Sequence, residues 1–143
     1  MPPESELFLF LADRANHVQT IVRPAIRAGK VVLCDRFADS TLVYQCRARE
    51  LDEEFVRSAN LFATGELTPD VTFLLDLPVE VGLARVTDLN RLDKEPVNFH
   101  EKVRQGFLAE AAAEPGRWVV IDAQQAAEDV ANRIIGELLA RLG

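Results

Sequence analysis

An α/β fold, a parallel sheet of about three strands with flanking helices, is what this sequence predicts. Two observations predict it. Short apolar runs at residues 31–35, 71–76 and 118–121 are continuous rather than alternating, as in strands covered on both faces. Between them lie stretches with apolar residues three and four apart, as in the helices that cross between parallel strands. With 143 residues and 48% hydrophobic content, the chain suits a single domain, residues 1–143, with a real core.

Ser5 offers an N-cap for the first helix, whose apolar positions Leu7, Leu11, Ala15, Val18, Val22 and Ile26 share a face. Pro24 should bend or divide it, and Gly29 should end it. Phe10, Arg14 and His17, at spacings of four and three, lie along one side. The strand at 31–35 follows, and Asp39 then reads as the N-cap of a short helix through Tyr44. Residues 46–50 contain no glycine. Asp52 caps the next helix, Leu51 can staple against Val56, and the helix should bury Phe55, Ala59 and Phe62 before Gly65 stops it. Thr68-Pro69-Asp70 leads into the second strand, at 71–76. Pro78 suits the first turn of a helix carrying Val79, Leu83 and Val86 inward. Residues 86–96 read as a loop, and Pro96 opens a long helix with Phe99, Val103 and Phe107 on one face, stopped by Pro115-Gly116. The third strand, at 118–121, precedes a last helix that packs Val130, Ile134 and Leu138.

The net charge of −7 argues against unspecific nucleic-acid binding, which needs cations against phosphates. Two cysteines, Cys34 and Cys46, are too few for a disulfide framework and read as cytosolic thiols. The start Met1-Pro2-Pro3-Glu4 is not basic, and no apolar run approaches a membrane span, so a cytoplasmic protein without membrane contact is expected. His17 and His100 lack metal-ligand spacing with the cysteines. No G-x-x-x-x-G-K-[ST] phosphate loop occurs, and Lys30 precedes a strand, so it cannot serve as one.

Ligands of open α/β sheets bind beyond the carboxyl ends of the strands. Past residues 31–34 stand Asp35, Arg36, Asp39, Ser40, Thr41, Tyr44 and Gln45: acids, a guanidinium, hydroxyls, a phenol and an amide. An arginine at a strand end can grip two phosphate oxygens, and Asp35 beside it could orient that guanidinium or hold Mg²⁺ through water. A structural salt bridge between the two is the plain alternative. Phe10 is a core ring or a ring that stacks on a base, and Arg14 is a solvated helix charge or its companion.

Asp35-Arg36-Phe37, followed by Asp39-Ser40-Thr41 and Tyr44-Gln45, resembles the nucleotide-monophosphate site of bacterial thymidylate kinases. Phe10-Leu11-Ala12-Asp13-Arg14, Thr68-Pro69-Asp70, Leu74-Leu75-Asp76, Phe99-His100-Glu101-Lys102-Val103-Arg104 and Trp118-Val119-Val120-Ile121-Asp122-Ala123 are similar to that family in the same order. The resemblance implies a P-loop nucleoside monophosphate kinase-like fold that transfers a phosphoryl group from ATP to dTMP with Mg²⁺. It further implies that Arg36 binds the acceptor phosphate, Arg14 assists at the phosphate or base, and Phe10 stacks on thymine. Thr41, Tyr44 and Gln45 would read the base edge and deoxyribose. Asn90-Arg91-Leu92-Asp93 resembles the family's lid, where Arg91 either stabilises the transferring group or is a solvated charge. Ala123 and Gln124 mark the neighbourhood of adenine. A homodimer through helix faces is implied as well.

The family opens with a strand and a glycine-rich phosphate loop, and nothing before Phe10 matches either. In the family that strand lies between those matching 31–35 and 71–76, so here the two should pair directly or leave a gap. The lid at 86–96 carries Arg91 and Lys94 against Asp88, Asp93 and Glu95, where the bacterial branch is rich in arginine. Two readings stand: a dTMP kinase that needs a missing N-terminal segment and is inactive as this chain alone, or a non-catalytic module keeping the monophosphate pocket or only the scaffold.

Overall fold

The first helix, α1 (Pro3–His17), starts before Ser5: Pro2 occupies the N-cap without a side-chain bond, and Pro3 opens the first turn. A proline there gives up an N–H that no helical carbonyl would have met, so the serine cap is not used. In the computed structural model, which describes residues 1–143, the helix then widens into a π-helical turn, Val18–Val22, before α2 (Arg23–Arg27). The Arg23 amide reaches back to the Val18 carbonyl, one residue further than in an α-helix. The wider turn falls just before Pro24, which has no amide hydrogen to donate and whose ring crowds the preceding turn. Gly29, at φ +76°, ends the helix as expected. Its amide bonds the Ile26 carbonyl and the Lys30 amide bonds Ala25, the paired closure that a left-handed residue allows.

The expected strand at 31–35 does not form: Val31 and Leu33 are 65% and 82% exposed, and the sheet of this chain has two strands, not three. A strand exists only where a neighbour supplies donors and acceptors for its ladder. Neither direct pairing with the next strand nor a gapped sheet is what the chain adopts.

Helix α3 (Ala38–Leu42) runs into a second π-helical segment, Val43–Ala48. Phe37, not Asp39, is its N-cap, and Asp39 sits in the first turn, where a carboxylate still favours the helix dipole. Without a glycine after Ala48, the segment closes on Glu50 at φ +63°. Helix α4 (Glu53–Thr64) begins as expected, with the Phe55 amide donating to the Asp52 carboxylate at 2.7 Å. Gly65 (φ +59°) ends it. Its buried face is not the one expected. Val56, Asn60, Ala63 and Thr64 point inward, while Phe55 and Phe62 are 51% and 90% exposed. The small inward residues allow close approach, and the Asn60 amide donates to the Ala38 carbonyl at 3.0 Å. Leu7, Leu11, Leu42, Cys46, Val56 and Ala63 form the core here, with Ala15, Leu51 and Ala59 packed against it.

The chain divides into two compact units, Met1–Thr68 and Pro69–Gly143. The second holds the sheet. β1 (Thr72–Asp76) and β2 (Trp118–Asp122) pair in parallel, from Thr72 opposite Trp118 to Asp76 opposite Asp122. α5 (Val79–Ala84) buries Val79, but Val86 lies beyond it and is exposed. α6 (Val97–Ala113) buries Phe99 and Val103, and the Phe107 ring lies 6.5 Å from that of Trp118. α7 (Ala127–Leu142) turns Val130, Ile134 and Leu138 to its half-buried side.

Candidate functional site

The first unit gathers most of the expected site residues where α1 meets α3. The Arg14 guanidinium donates to the Thr41 hydroxyl at 3.1 Å, and its carbon stands 5.0 Å from the centre of the Phe37 ring. Burial pulls the Arg14 pKa down, opposed by the nearby Cys34, Asp13 and Asp39; an arginine stays charged regardless. Its Nε is buried and has no partner.

Arg36 repeats the pattern one turn on. It donates to the Tyr44 hydroxyl at 3.2 Å, with its guanidinium carbon 5.4 Å from the centre of that ring. Its backbone is left-handed, at φ +62°, which is uncommon for a residue with a Cβ and recurs at functional sites. Asp35 is exposed and makes no ion pair with Arg36, so the structural salt bridge is not there. Both arginines are held by neutral hydroxyls and rings rather than by acids.

Phe10, 40% exposed, presents part of its ring. Gln45 does not reach the surface. It is fully buried, and its amide nitrogen donates to the Glu6 carboxylate at 3.0 Å, so the base-edge contact expected of it is replaced by one inside the unit. Sequence reasoning quoted Phe37 within its motif but gave it no role, and it passed over Glu6. For Glu6 a signal existed: it lies one turn before Phe10 and next to the core residue Leu7, where an acid is out of place.

In the second unit, Asp76 at the end of β1 takes a two-pronged bond from Arg104, Nε at 2.9 Å and Nη2 at 3.2 Å. That bond holds the Arg104 pKa above its ordinary value. An open cavity of about 440 Å³ lies beyond the strand ends, with Asp76, Pro78, Arg104, Asp122, Gln124 and Arg133 on its walls. Arg85 donates to the Ala123 carbonyl at 2.9 Å, which fixes the loop after β2. Arg91 is exposed. The asparagine before it closes a turn: Asn90 Oδ1 accepts from the amides of Leu92 and Asp93, and the Asn90 amide donates to the Asp93 carboxylate. No three or more His, Cys, Asp or Glu side chains come together as metal ligands.

Residues 1–134 match the family model for thymidylate kinase. The chain is 55% identical over 136 residues to a thymidylate kinase of Desulfovibrio desulfuricans, covering 88% of this chain and 63% of that protein. It is 52% identical over 140 residues to one from a Synechococcus species, covering 98% and 68%. It is 46% identical over 147 residues to one from Lactobacillus helveticus, covering 99% and 69%. The chain thus spans roughly two thirds of the length of the curated relatives it matches.

Proposed function

The chain belongs to the thymidylate kinase family, and from that premise we propose that its first unit is an acceptor pocket for dTMP. The observation that carries this is the pair of guanidiniums, Arg14 and Arg36, each steered by a ring and a hydroxyl and neither in an ion pair with an acid. Phosphoryl transfer rests mainly on positioning and charge neutralisation. In the reaction ATP + dTMP → ADP + dTDP, Arg36 grips the acceptor phosphate in a fork. Arg14, held by the buried Thr41 hydroxyl, serves the phosphate or the base, Phe10 stacks on thymine, and Tyr44 meets the base edge or the deoxyribose. Arg91, exposed in the second unit, is either the family's lid cation or a solvated charge.

Asp35, a single exposed carboxylate, fits Mg²⁺, which keeps several waters and takes other oxygens from phosphates. When bound, the ion neutralises phosphate charge. ATP would meet the loop at Ala123 and Gln124. Residues 1–143 contain no phosphate-loop motif, so alone they bind dTMP without turning it over. A non-catalytic module that keeps the pocket is the second reading, favoured by that same absence.

The family setting also favours a cytoplasmic homodimer. Phe8 and Phe55 are 58% and 51% exposed with rings 6.4 Å apart, and Leu9 and Phe62 are exposed too; such a patch suits a second copy. No helix is long and apolar enough to cross a membrane.

Titration of dTMP and dCMP tests the pocket. Binding should favour dTMP, and Arg36→Ala should weaken it roughly tenfold or more, the loss of one charge-assisted contact. Equal binding of the two nucleotides, or an unaltered affinity in the variant, would refute the proposal.

A further inference from the structure

We infer that Glu6 is a positioning residue of this pocket: through Gln45 it sets where Tyr44 and Arg36 stand against Phe10 and Arg14. The inference rests on the dTMP reading above. Glu6 is 4% exposed and Gln45 0%, and the amide nitrogen of one meets the carboxylate of the other at 3.0 Å. A buried carboxylate is costly unless hydrogen bonds compensate it, so its place in the structure is specific.

That place is at one end of a seam. Along α1 and residues 38–48, Arg14 meets Thr41 and Glu6 meets Gln45, so the two elements run antiparallel. Leu7, Leu11, Leu42 and Cys46 belong to the core that fills the space between these ties. Apolar contacts tolerate sliding; a pair of hydrogen bonds at the two ends does not. When ionised, the carboxylate also fixes the sense of the Gln45 amide, since it can then only accept. The amide oxygen turns away and is buried without a partner. The residues after Leu42 form the π-helical turn, which one hydrogen-bond step converts to α-helix. Such a step would rotate Tyr44, and with it the hydroxyl that holds Arg36.

The experiment uses the 143-residue chain and three variants: Glu6→Gln, Gln45→Glu and the exchanged double. Tyr44 is the only tyrosine, so its ring NMR signals report the pocket with no nucleotide present. Gln45→Glu, which sets two carboxylates face to face, should shift those signals and weaken dTMP binding about tenfold or more. Glu6→Gln can still accept the bond and should change both far less. The exchanged pair rebuilds the bond in the opposite sense and should recover the Tyr44 signals and most of the affinity. Single variants that melt earlier while Tyr44 and dTMP affinity stay unchanged would overturn the inference, as would an exchanged pair without recovery. A wild-type chain that binds no dTMP would overturn the pocket reading first, a separate outcome.

Discussion

Replacing Arg36 by alanine and by glycine separates what its side chain does from what its backbone costs. At φ +62°, a residue with a Cβ is disfavoured by ~1–2 kcal/mol. Glycine escapes that cost but loses roughly 0.5–1 kcal/mol more chain entropy on folding. Arg36→Gly should therefore be more stable than Arg36→Ala by about 0.5–1 kcal/mol. The side chain contributes one exposed hydrogen bond and one exposed ring contact, both with Tyr44. Each is worth about 0.5–1 kcal/mol, so Arg36→Ala should destabilise the first unit by roughly 1 kcal/mol. Both variants lose the phosphate grip and should bind dTMP about tenfold or more weakly. Urea unfolding followed at Tyr44 reads the first unit, and the only tryptophan, Trp118, reads the second. A glycine variant less stable than the alanine one would refute the backbone reasoning. Retained dTMP affinity in both would refute the role of the guanidinium.

Burial, with Glu53 nearby, pushes the Cys46 thiol up to about 11, while Cys34 is exposed. At pH 8, a thiol reagent should therefore modify Cys34 promptly and Cys46 only on unfolding; two promptly reacting thiols would contradict this. An unfolded Cys46 loses its proton near 9, whereas the folded one holds it to about 11. Stability should fall as pH rises through that window, and Cys46→Ala should flatten the fall measured by urea unfolding. Gly65→Ala places a Cβ at φ +59°, 2.9 Å from Arg23 Nη2, and should cost ~1–2 kcal/mol of stability. Gly116→Ala, with open space around it, should be near neutral in the same melts. In a coupled ADP-release assay residues 1–143 should show no dTMP-dependent turnover; turnover abolished by Arg36→Ala would overturn that expectation.

Periodicity placed the elements well where signals were local. Asp52 and Gly65 bracket α4, Pro96 precedes α6, and the two Asp-ended runs at 71–76 and 118–122 pair in parallel. It failed where a partner decides the outcome. Residues 31–35 have strand composition but form no ladder. Phe55 and Phe62 keep helical spacing yet stay exposed; of the expected trio only Ala59 packs on the core, beside an adjacent face of Val56, Asn60 and Ala63 that fits the neighbours. In the candidate site, Arg14, Thr41, Arg36 and Tyr44 were all legible as chemistry-bearing residues. Their pairing was not: Arg14 and Thr41 lie 27 residues apart, and Tyr44 meets Arg36 from a π-helical turn that no spacing announces. Gln45 was expected at the base edge because its actual partner, the buried Glu6, lies 39 residues away in sequence.

Backbone NMR of the chain titrated with dTMP reports whether an acceptor-nucleotide pocket sits in the first unit. Saturable shifts should appear at Phe10, Arg14 and residues 35–44, with Pro69–Gly143 unmoved. Shifts confined to Pro69–Gly143, or none at saturating dTMP, would contradict it.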